Sequence, residues 1–271
     1  MNTAERNFVN RVKQFYKQQG RHSLPWRKTK DTYKILVSEV MLQQTQVDRV
    51  IPKYKVFLKQ FPKVESLASA PLGEVLRAWQ GLGYNRRAKM LHSCAKEIVE
   101  SHTGRFPKDH KILVSLPGIG PYTASAVLAF ACNEPVVLIE TNVRTVFIHH
   151  FFSDQTDVTD AEILALVERT LDRQNPREWY YALMDYGSYL KKTVGNKNTQ
   201  SSTYATQSTF KGSDRQIRGA LVRLLAEKPH TRVAILKALS AFEDLRVDAQ
   251  LQKLIIEKMI ERKGRVYSLP R

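Results

Sequence analysis

A glycine turn and a carboxylate that follows it are the first residues of this chain whose spacing could do chemistry. The turn is Leu116-Pro-Gly-Ile-Gly120, and glycines without a Cβ let the backbone approach a phosphate closely. A helix starting near Thr123 adds free N–H groups and a positive dipole end, which favour an anion. Glu140 follows twenty positions after Gly120. This pairing predicts an enzyme whose turn holds a phosphate while Glu140 acts on the bound molecule.

A second carboxylate, Glu39, stands in an apolar stretch. It follows Ile35-Leu-Val-Ser38 and precedes Val40-Met-Leu42, so a helix here places it beside apolar neighbours. Partial desolvation then raises its pKa and keeps a proton available near neutral pH, which suits a general acid. The alternative is an exposed glutamate on an amphipathic helix. Amides that could hydrogen-bond base edges or fill a gap in a duplex follow it: Gln43, Gln44 and Gln46.

A second glycine turn, Gly81-Leu-Gly-Tyr84, is followed by Asn85-Arg-Arg-Ala-Lys89. Basic residues can hold phosphates while a rigid aromatic ring wedges into a base stack. Tyr84 could equally be a core aromatic beside a solvated basic helix face. By itself this pattern decides nothing.

Composition favours a polyanionic partner. The 271 residues include 43 Lys and Arg against 26 Asp and Glu, which gives a net charge of +17 and a pI near 9.9. Such a balance predicts salt-sensitive nucleic-acid binding, although a basic chain can also be merely soluble. The two cysteines, Cys94 and Cys132, lie in apolar stretches and are expected to be small buried side chains. No signal-peptide core or long apolar run occurs, so we expect a soluble, cytoplasmic, nucleoid-associated protein.

The elements that must position these residues are mainly helices. Helical apolar spacing fills most of residues 1–190, and Val136-Val-Leu-Ile139 is the clearest β-branched run there. We therefore predict a first domain at 1–190. Residues 191–213 are basic and rich in Ser, Thr, Gln and Asn, which predicts a linker or an extended arm rather than a packed element.

A second helical unit is predicted over residues 214–271. Three helices followed by a strand-like Gly264-Arg-Val-Tyr-Ser-Leu269 resemble a winged helix-turn-helix, a common DNA-binding unit. Residues 191–271 hold 17 basic and 7 acidic residues, although a small helical module with a solvated basic face has the same composition.

Taken together, these stretches resemble the helix-hairpin-helix DNA glycosylases, and within them the MutY-type adenine glycosylases. The likeness runs over roughly residues 20–190. The hairpin marks the superfamily, whereas the Glu39 and Tyr84 stretches are typical of that branch. The resemblance implies a mainly α fold of two helical subdomains with a cleft. It also implies a monomer acting on double-stranded DNA with a mismatched or damaged base, and no membrane.

The resemblance implies removal of adenine paired with 8-oxoguanine or guanine. Glu39 then protonates N7 of adenine, while Glu140 stabilises the cationic sugar, the logic by which two carboxylates cleave glycosides. Asn142 assists near the sugar. The remaining residues implied to contact DNA are Arg27, Gln43, Gln44, Thr45, Tyr84, Arg87, Leu116, Gly118 and Gly120.

Tyr122 bears on the type of reaction. Bifunctional members of the superfamily carry a lysine at this position, and a phenol cannot form a Schiff base. The resemblance therefore implies a monofunctional enzyme that leaves an abasic site without cutting the strand, with Tyr122 at its catalytic centre.

Three departures from the family pattern stand in this chain. Glu140 occupies a position where relatives usually carry Asp, and a carboxylate misplaced by about 1 Å can lose roughly a hundredfold in rate. The four iron–sulfur cysteines expected after Met184-Asp-Tyr-Gly187 are absent, so no cluster or other cofactor is expected, although a monovalent cation at the hairpin is compatible with the family. The usual carboxy-terminal domain is replaced by the basic unit.

Two other functions remain open at this stage. One is a mismatch glycosylase for thymine or uracil opposite guanine, since some such enzymes carry Tyr at the position of Tyr122. The other is a DNA-binding protein without catalysis, which the change to Glu140 favours.

Overall fold

The computed structural model describes residues 1–271 and is mainly helical, as the sequence predicts. Short 3₁₀ turns at Pro25–Lys28 and Lys197–Gln200 and a π-helical turn at Leu128–Cys132 complete the helical structure. None of the helices combines the length and apolar character that crossing a bilayer requires. The helices are α1 (Thr3–Gln19), α2 (Thr32–Leu42), α3 (Val47–Gln60), α4 (Val64–Ser69), α5 (Leu72–Ala78), α6 (Arg86–His102), α7 (His110–Ser115), α8 (Pro121–Val127), α9 (Thr141–Phe151), α10 (Asp160–Thr170), α11 (Pro176–Thr193), α12 (Asp214–Glu227), α13 (Arg232–Ala238) and α14 (Asp244–Ile256), and the strands are β1 (His230–Thr231), β2 (Glu261–Lys263) and β3 (Val266–Ser268).

The chain forms two compact units, each built from separate segments. The first contains Met1–Leu36, Lys108–Ser115 and Ile119–Thr206. The second unit contains Val37–Pro107, Leu116–Gly118 and Gln207–Arg271.

The core of the first unit lies around α11, which packs on α9 and α1. Phe8 of α1 contacts Phe147 in a tilted arrangement and Trp179 edge-on, and all three rings are buried. The β-branched run at 136–139 forms no strand; it is extended chain whose Leu138 N–H donates to the buried hydroxyl of Tyr180 (3.2 Å). Helix packing, rather than a sheet, therefore fixes the loop that leads to Glu140.

The polar segment after α11 differs from the extended linker that its composition predicts. Asn198 and Ser201 are buried, and Asn198 Nδ2 donates to the Thr141 carbonyl (3.2 Å) and to Thr145 Oγ1 (2.7 Å). A parallel bridge joins Ser201 to Val158. The segment is packed at these two points because Asn198 and Ser201 find hydrogen-bond or bridge partners in the first unit. From Ser202 to Phe210 its residues are exposed.

The second unit joins helices α3–α6 to the carboxy-terminal module, which comprises residues 214–271. Phe57 and Trp79 form its aromatic centre, with ring centroids 5.8 Å apart. In the module, α12 packs on α14, and the strands pair antiparallel in the order β1-β3-β2. The terminal stretch, predicted to be strand-like, is the central strand of this sheet, and residues 261–263 after α14 pair with it.

The module is anchored on α5 and α6 within this unit. Gly73 N–H donates to the Pro270 carbonyl (3.0 Å), and a Cβ on Gly73 would lie 2.3 Å from that oxygen. Arg77 donates to the Ala226 carbonyl (3.0 Å). Lys89 Nζ donates to the Glu257 carbonyl.

Candidate active site

Glu140 caps the first turn of α9 with its own side chain. Its Oε1 accepts hydrogen bonds from the backbone N–H groups of Asn142 (2.8 Å) and Val143 (2.9 Å). Its Oε2 accepts from Asn142 Nδ2 (3.1 Å). Asp is the more common residue at such an N-cap, but here the longer side chain folds back onto the helix, so the extra methylene does not prevent capping. The carboxylate is held in one orientation.

The charge of Glu140 is set by opposing influences. Burial raises the pKa of Glu140, while the N–H groups of Asn142 and Val143 and the positive charge of Lys191 act to lower it. Lys191 is partly buried on α11, and burial lowers its own pKa. Sequence reasoning missed Lys191, because its place one helical turn after Gly187 gives no sign of the carboxylate it faces.

The interaction with Lys191 predicts a shift in the pH profile. If Glu140 acts as a carboxylate, base release falls as pH drops through its pKa, which burial raises above the usual value for a glutamate. Lys191→Gln removes a charge that favours the ionised form, so this acid limb should move to higher pH. Single-turnover rates between pH 4 and 8 measure it, with Lys192→Gln, an exposed neighbour, as the control. Identical acid limbs in all three proteins would rule out this electrostatic coupling.

Gly187 lets α11 approach the beginning of α9. A Cβ on Gly187 would lie 2.3 Å from the Asn142 carbonyl oxygen and 2.7 Å from the Asn142 Cβ. Asn142 in turn holds both oxygens of Glu140. The glycine in the Met184-Asp-Tyr-Gly187 motif therefore positions the carboxylate through Asn142.

Gly187→Ala should slow base release about a hundredfold, since a catalytic group displaced by about 1 Å can lose that much. The effect should fall on the single-turnover rate and leave the Kd for duplex DNA within a few-fold. Gly219→Ala is the matched control, because nothing lies within 4 Å of the added Cβ. An unchanged rate in folded Gly187→Ala protein would contradict the positioning role.

Glu39 lies near the end of α2, in the second unit. Only 7 % of it is exposed, and its neighbours Val37, Val40 and Met41 are buried. This is the apolar setting that the sequence predicts, and it excludes the alternative of an exposed glutamate on a polar stripe. A carboxyl group in such surroundings suits proton donation.

The loop after α2 carries the three predicted DNA contacts. Gln44 is exposed, whereas Gln43 and Thr45 are partly buried. Gln44 has a left-handed backbone (φ +55°), which costs a non-glycine residue energy unless its surroundings hold it. Thr45 Oγ1 lies 3.3 Å from the Gln43 carbonyl, which accepts its hydrogen bond.

Arg87, predicted to bind DNA, is instead the clamp of this loop. It is partly buried, and burial lowers its pKa to about 10, so it remains charged at neutral pH. Its Nη1 and Nη2 atoms already donate within the chain, which leaves them unavailable to a phosphate. The groups that accept are the carbonyls of Val40, Met41, Gln43, Leu82 and Gly83 and the Thr45 hydroxyl.

Tyr84 lies in the glycine turn at 81–84, before α6, and is 39 % exposed. It also has a left-handed backbone (φ +48°). The exposed ring excludes the alternative of a core aromatic and is compatible with a wedge.

The hairpin lies between α7 and α8. Leu116 is buried (4 % exposed), so its side chain supports the turn, and its contact with DNA stays a prediction. Gly118 has φ +76°, and a Cβ there would lie 2.5 Å from Met90 Cβ, whereas Gly120 is exposed with nothing near its added Cβ. Tyr122 lies partly buried in the first turn of α8 and packs against the core of the first unit.

Arg27, also predicted to contact DNA, binds a carboxylate within the chain. Only 5 % of its side chain is exposed, and its Nη1 and Nη2 atoms donate to Asp185 (2.7 and 2.8 Å). It therefore neutralises a buried carboxylate of α11 and does not face a phosphate.

An iron–sulfur cluster does not fit this chain. Such a cluster takes four cysteine ligands, and the chain has two cysteines. Cys94 is buried, and burial raises its pKa to about 12. The segment after α11 holds Asn198 instead, which ties α11's end to the beginning of α9.

Comparison with known proteins identifies the family. The model described as HhH-GPD superfamily base excision DNA repair protein matches residues 37–171, a range that includes Glu39 and Glu140. An adenine DNA glycosylase of Mycobacterium tuberculosis is 34 % identical and covers 90 % of this chain and 88 % of its own length. The chain belongs to the HhH-GPD superfamily of base excision DNA repair proteins. This confirms the predicted glycosylase superfamily, and the match extends beyond the expected residues 20–190.

Other relatives of this superfamily member are longer than the chain. The adenine DNA glycosylase of Buchnera aphidicola subsp. Baizongia pistaciae is 35 % identical over 68 % of this chain, which spans 52 % of that protein. The mouse adenine DNA glycosylase is 34 % identical, and the chain spans 37 % of it.

Solved structures confirm the superfamily fold. A thermostable thymine-DNA glycosylase has a TM-score of 0.63 at 26 % identity and covers 69 % of this chain and 87 % of its own. A trapped endonuclease III–DNA covalent intermediate has a TM-score of 0.54 at 19 % identity, covering 71 % of this chain and 88 % of its own. The second likeness concerns the fold alone.

Proposed function

We propose that this protein is a monofunctional DNA glycosylase that removes adenine paired with 8-oxoguanine or guanine. The observation that carries the proposal is Glu39, a carboxyl group 7 % exposed among apolar residues of α2. An acid assists departure of a purine by protonating N7, an atom that pyrimidines lack. The adenine glycosylases of Mycobacterium tuberculosis and Buchnera support the choice of adenine.

The reaction begins with the base outside the duplex, which costs a few kcal/mol of unstacking. Glu39 gives its proton to N7, and the electron pair of the C1′–N9 bond leaves with adenine. The sugar becomes an oxocarbenium-like cation, which the Glu140 carboxylate stabilises. Water then adds to C1′, and its proton passes to the Glu39 carboxylate, which restores the acid and leaves an abasic site and free adenine.

Within this proposal Asn142 orients Glu140, and Gly118 and Gly120 allow the hairpin backbone to approach a phosphate. Gln43 contacts the extruded base. Tyr122 places a phenol where a lyase needs an amine, so the strand remains intact. Binding of double-stranded DNA as a monomer, without an iron–sulfur cluster, completes the proposal, and a monovalent cation at the hairpin is compatible with it.

A thymine or uracil mismatch glycosylase is the second candidate. The structural likeness to a thermostable thymine-DNA glycosylase at 26 % identity favours it. Glu39 separates the two candidates. Its proton accelerates the loss of adenine through N7, whereas thymine and uracil have no N7 to protonate.

The test is a single-turnover assay on duplexes that carry adenine, thymine or uracil opposite guanine or 8-oxoguanine. Strand breaks are counted with and without alkali. The proposal expects breaks only in the adenine duplexes and only after alkali. Breaks in the thymine or uracil duplexes alone support the second candidate, and breaks without alkali contradict the monofunctional assignment.

A further inference from the structure

The exposed arm that precedes the carboxy-terminal module contacts, through Gln207, the two loops that carry Gln44 and Tyr84. These three residues all belong to the second unit. Gln207 Nε2 donates to Gln44 Oε1 (3.0 Å) and to the Tyr84 hydroxyl. Arg215 Nη1 donates to the same hydroxyl (2.7 Å). Gln207 and Arg215 therefore contact two of the side chains that are predicted to bind DNA.

Gln207 of the arm and Arg215 of α12 together hold Tyr84 in a defined place. Arg215 Nη2 is itself fixed by the Ser208 carbonyl (2.6 Å) and the Ser208 hydroxyl (3.2 Å). The guanidinium carbon of Arg215 lies 5.9 Å from the centroid of the Tyr84 ring, and that of Arg87 lies 5.5 Å from it. Both contacts are within range of a cation–π attraction.

Gln44 and Tyr84 both have positive φ angles, which are uncommon for residues with a side chain. Such conformations persist where the surroundings hold them, and they cluster at ligand-binding sites. Here the groups that hold them include Gln207, Arg215 and the Arg87 clamp.

The amide pair leaves one nitrogen and one oxygen atom without a hydrogen bond. Gln44 Oε1 accepts from Gln207 Nε2, while Gln44 Nε2 and Gln207 Oε1 make no hydrogen bond within the chain. An amide carries two donors and a carbonyl acceptor. Both side chains are exposed, so N–H groups of Gln44 and the amide oxygen of Gln207 remain available to a ligand.

That pattern distinguishes 8-oxoguanine from guanine. Guanine shows two acceptors, N7 and O6, at its major-groove edge. Oxidation at C8 places a hydrogen on N7, which turns N7 into a donor, and adds the acceptor O8. An oxygen acceptor attracts the N7–H of 8-oxoguanine and repels the N7 lone pair of guanine.

We propose that Gln207, paired with Gln44, reads the base opposite the excised adenine, with Gln207 Oε1 accepting from N7–H of 8-oxoguanine and Gln44 Nε2 donating to O8. Arg215 is a positioning residue that fixes Tyr84 beside this pair. The inference rests on the proposed function and assigns its opposite-base selectivity to the exposed arm.

The test compares adenine excision by wild-type protein and Gln207→Leu on duplexes with 8-oxoguanine, guanine or 8-bromoguanine opposite adenine. A single good contact to a base edge discriminates by on the order of tenfold. Gln207→Leu should therefore lower the ratio of single-turnover rates, 8-oxoguanine over guanine, about tenfold. 8-Bromoguanine has a substituent at C8 but no N7–H, so Gln207→Leu should change the ratio of rates, 8-bromoguanine over guanine, very little. Gln252→Leu, an exposed site on α14, is the matched control.

Binding to duplexes with a non-cleavable 2′-fluoro-adenosine gives a second measurement, in which the preference for 8-oxoguanine should fall by a similar factor. An unchanged ratio with active Gln207→Leu protein overturns the inference and leaves the proposed function intact. Wild-type protein that releases adenine from none of the duplexes overturns the proposed function and the inference with it.

Discussion

Glu39→Gln should abolish most adenine release. General acid catalysis contributes roughly 10²–10⁴-fold to a rate, and glutamine has the shape of glutamate without an acidic proton. The single-turnover rate on an adenine·8-oxoguanine duplex should fall by about that factor. Binding of the uncleaved duplex should stay within a few-fold of wild type, because the substitution leaves the volume of α2 unchanged.

The control for this variant is Glu100→Gln, the same substitution at an exposed position of α6 in the same unit. It should cleave at the wild-type rate. If Glu39 only supports the fold, Glu39→Gln will retain activity and lose thermal stability instead. Release of adenine within tenfold of wild type would remove Glu39 from the mechanism.

Asp185→Asn should destabilise the first unit by about 3–5 kcal/mol, the usual effect of removing one partner of a buried ion pair. The side chains of Asp185 and Arg27 are 2 % and 5 % exposed. The Arg27 guanidinium would remain buried with its charge uncompensated, and the hydrogen bond from Arg21 N–H to Asp185 (2.7 Å) would weaken. The midpoint of urea unfolding measures this loss.

The matched control is Asp31→Asn, whose partner Lys34 is an exposed contact at 3.8 Å and is worth at most about 1 kcal/mol. Equal midpoints for the two variants would contradict the role of the buried pair. Burial acts to raise the pKa of Asp185, but Arg27 and Arg21 outweigh it and hold the pKa below its usual value. A lowered carboxyl pKa stabilises the fold above the unfolded value of about 3.9 and loses that contribution as pH falls through the folded value.

The helices and the glycine turn of the hairpin were predictable from the sequence. Apolar spacing gives the helices, and positive φ with a close contact explains why Gly118 is glycine. The apolar flanks of Glu39 predict its burial correctly. These features depend on local sequence, which a single chain displays.

The partners of the arginines were not predictable. Arg27 and Arg87 were both expected to contact DNA, yet one meets Asp185 and the other meets carbonyls that include that of Val40, 47 positions away. A guanidinium can donate to a carboxylate, a carbonyl or a phosphate, so only tertiary contacts decide which of these it meets.

The polar segment after α11 illustrates a second limit. Its composition is that of a linker, but Asn198 packs under α9 and Gln207 meets Tyr84. Short polar side chains signal solvent exposure unless buried backbone groups need partners, and that need is visible only in the folded chain. The roles of Glu39, Glu140, Gln43, Gln44 and Tyr84 in the reaction stay predictions.

Direct quantification of free adenine tests the central claim. Excess protein is mixed with a duplex carrying one adenine opposite 8-oxoguanine, and the released base and the abasic sites are both counted by mass spectrometry. We predict one adenine released for each abasic site formed, with the strand intact until alkali is added. A duplex that retains its adenine while thymine or uracil opposite guanine is released would contradict the account.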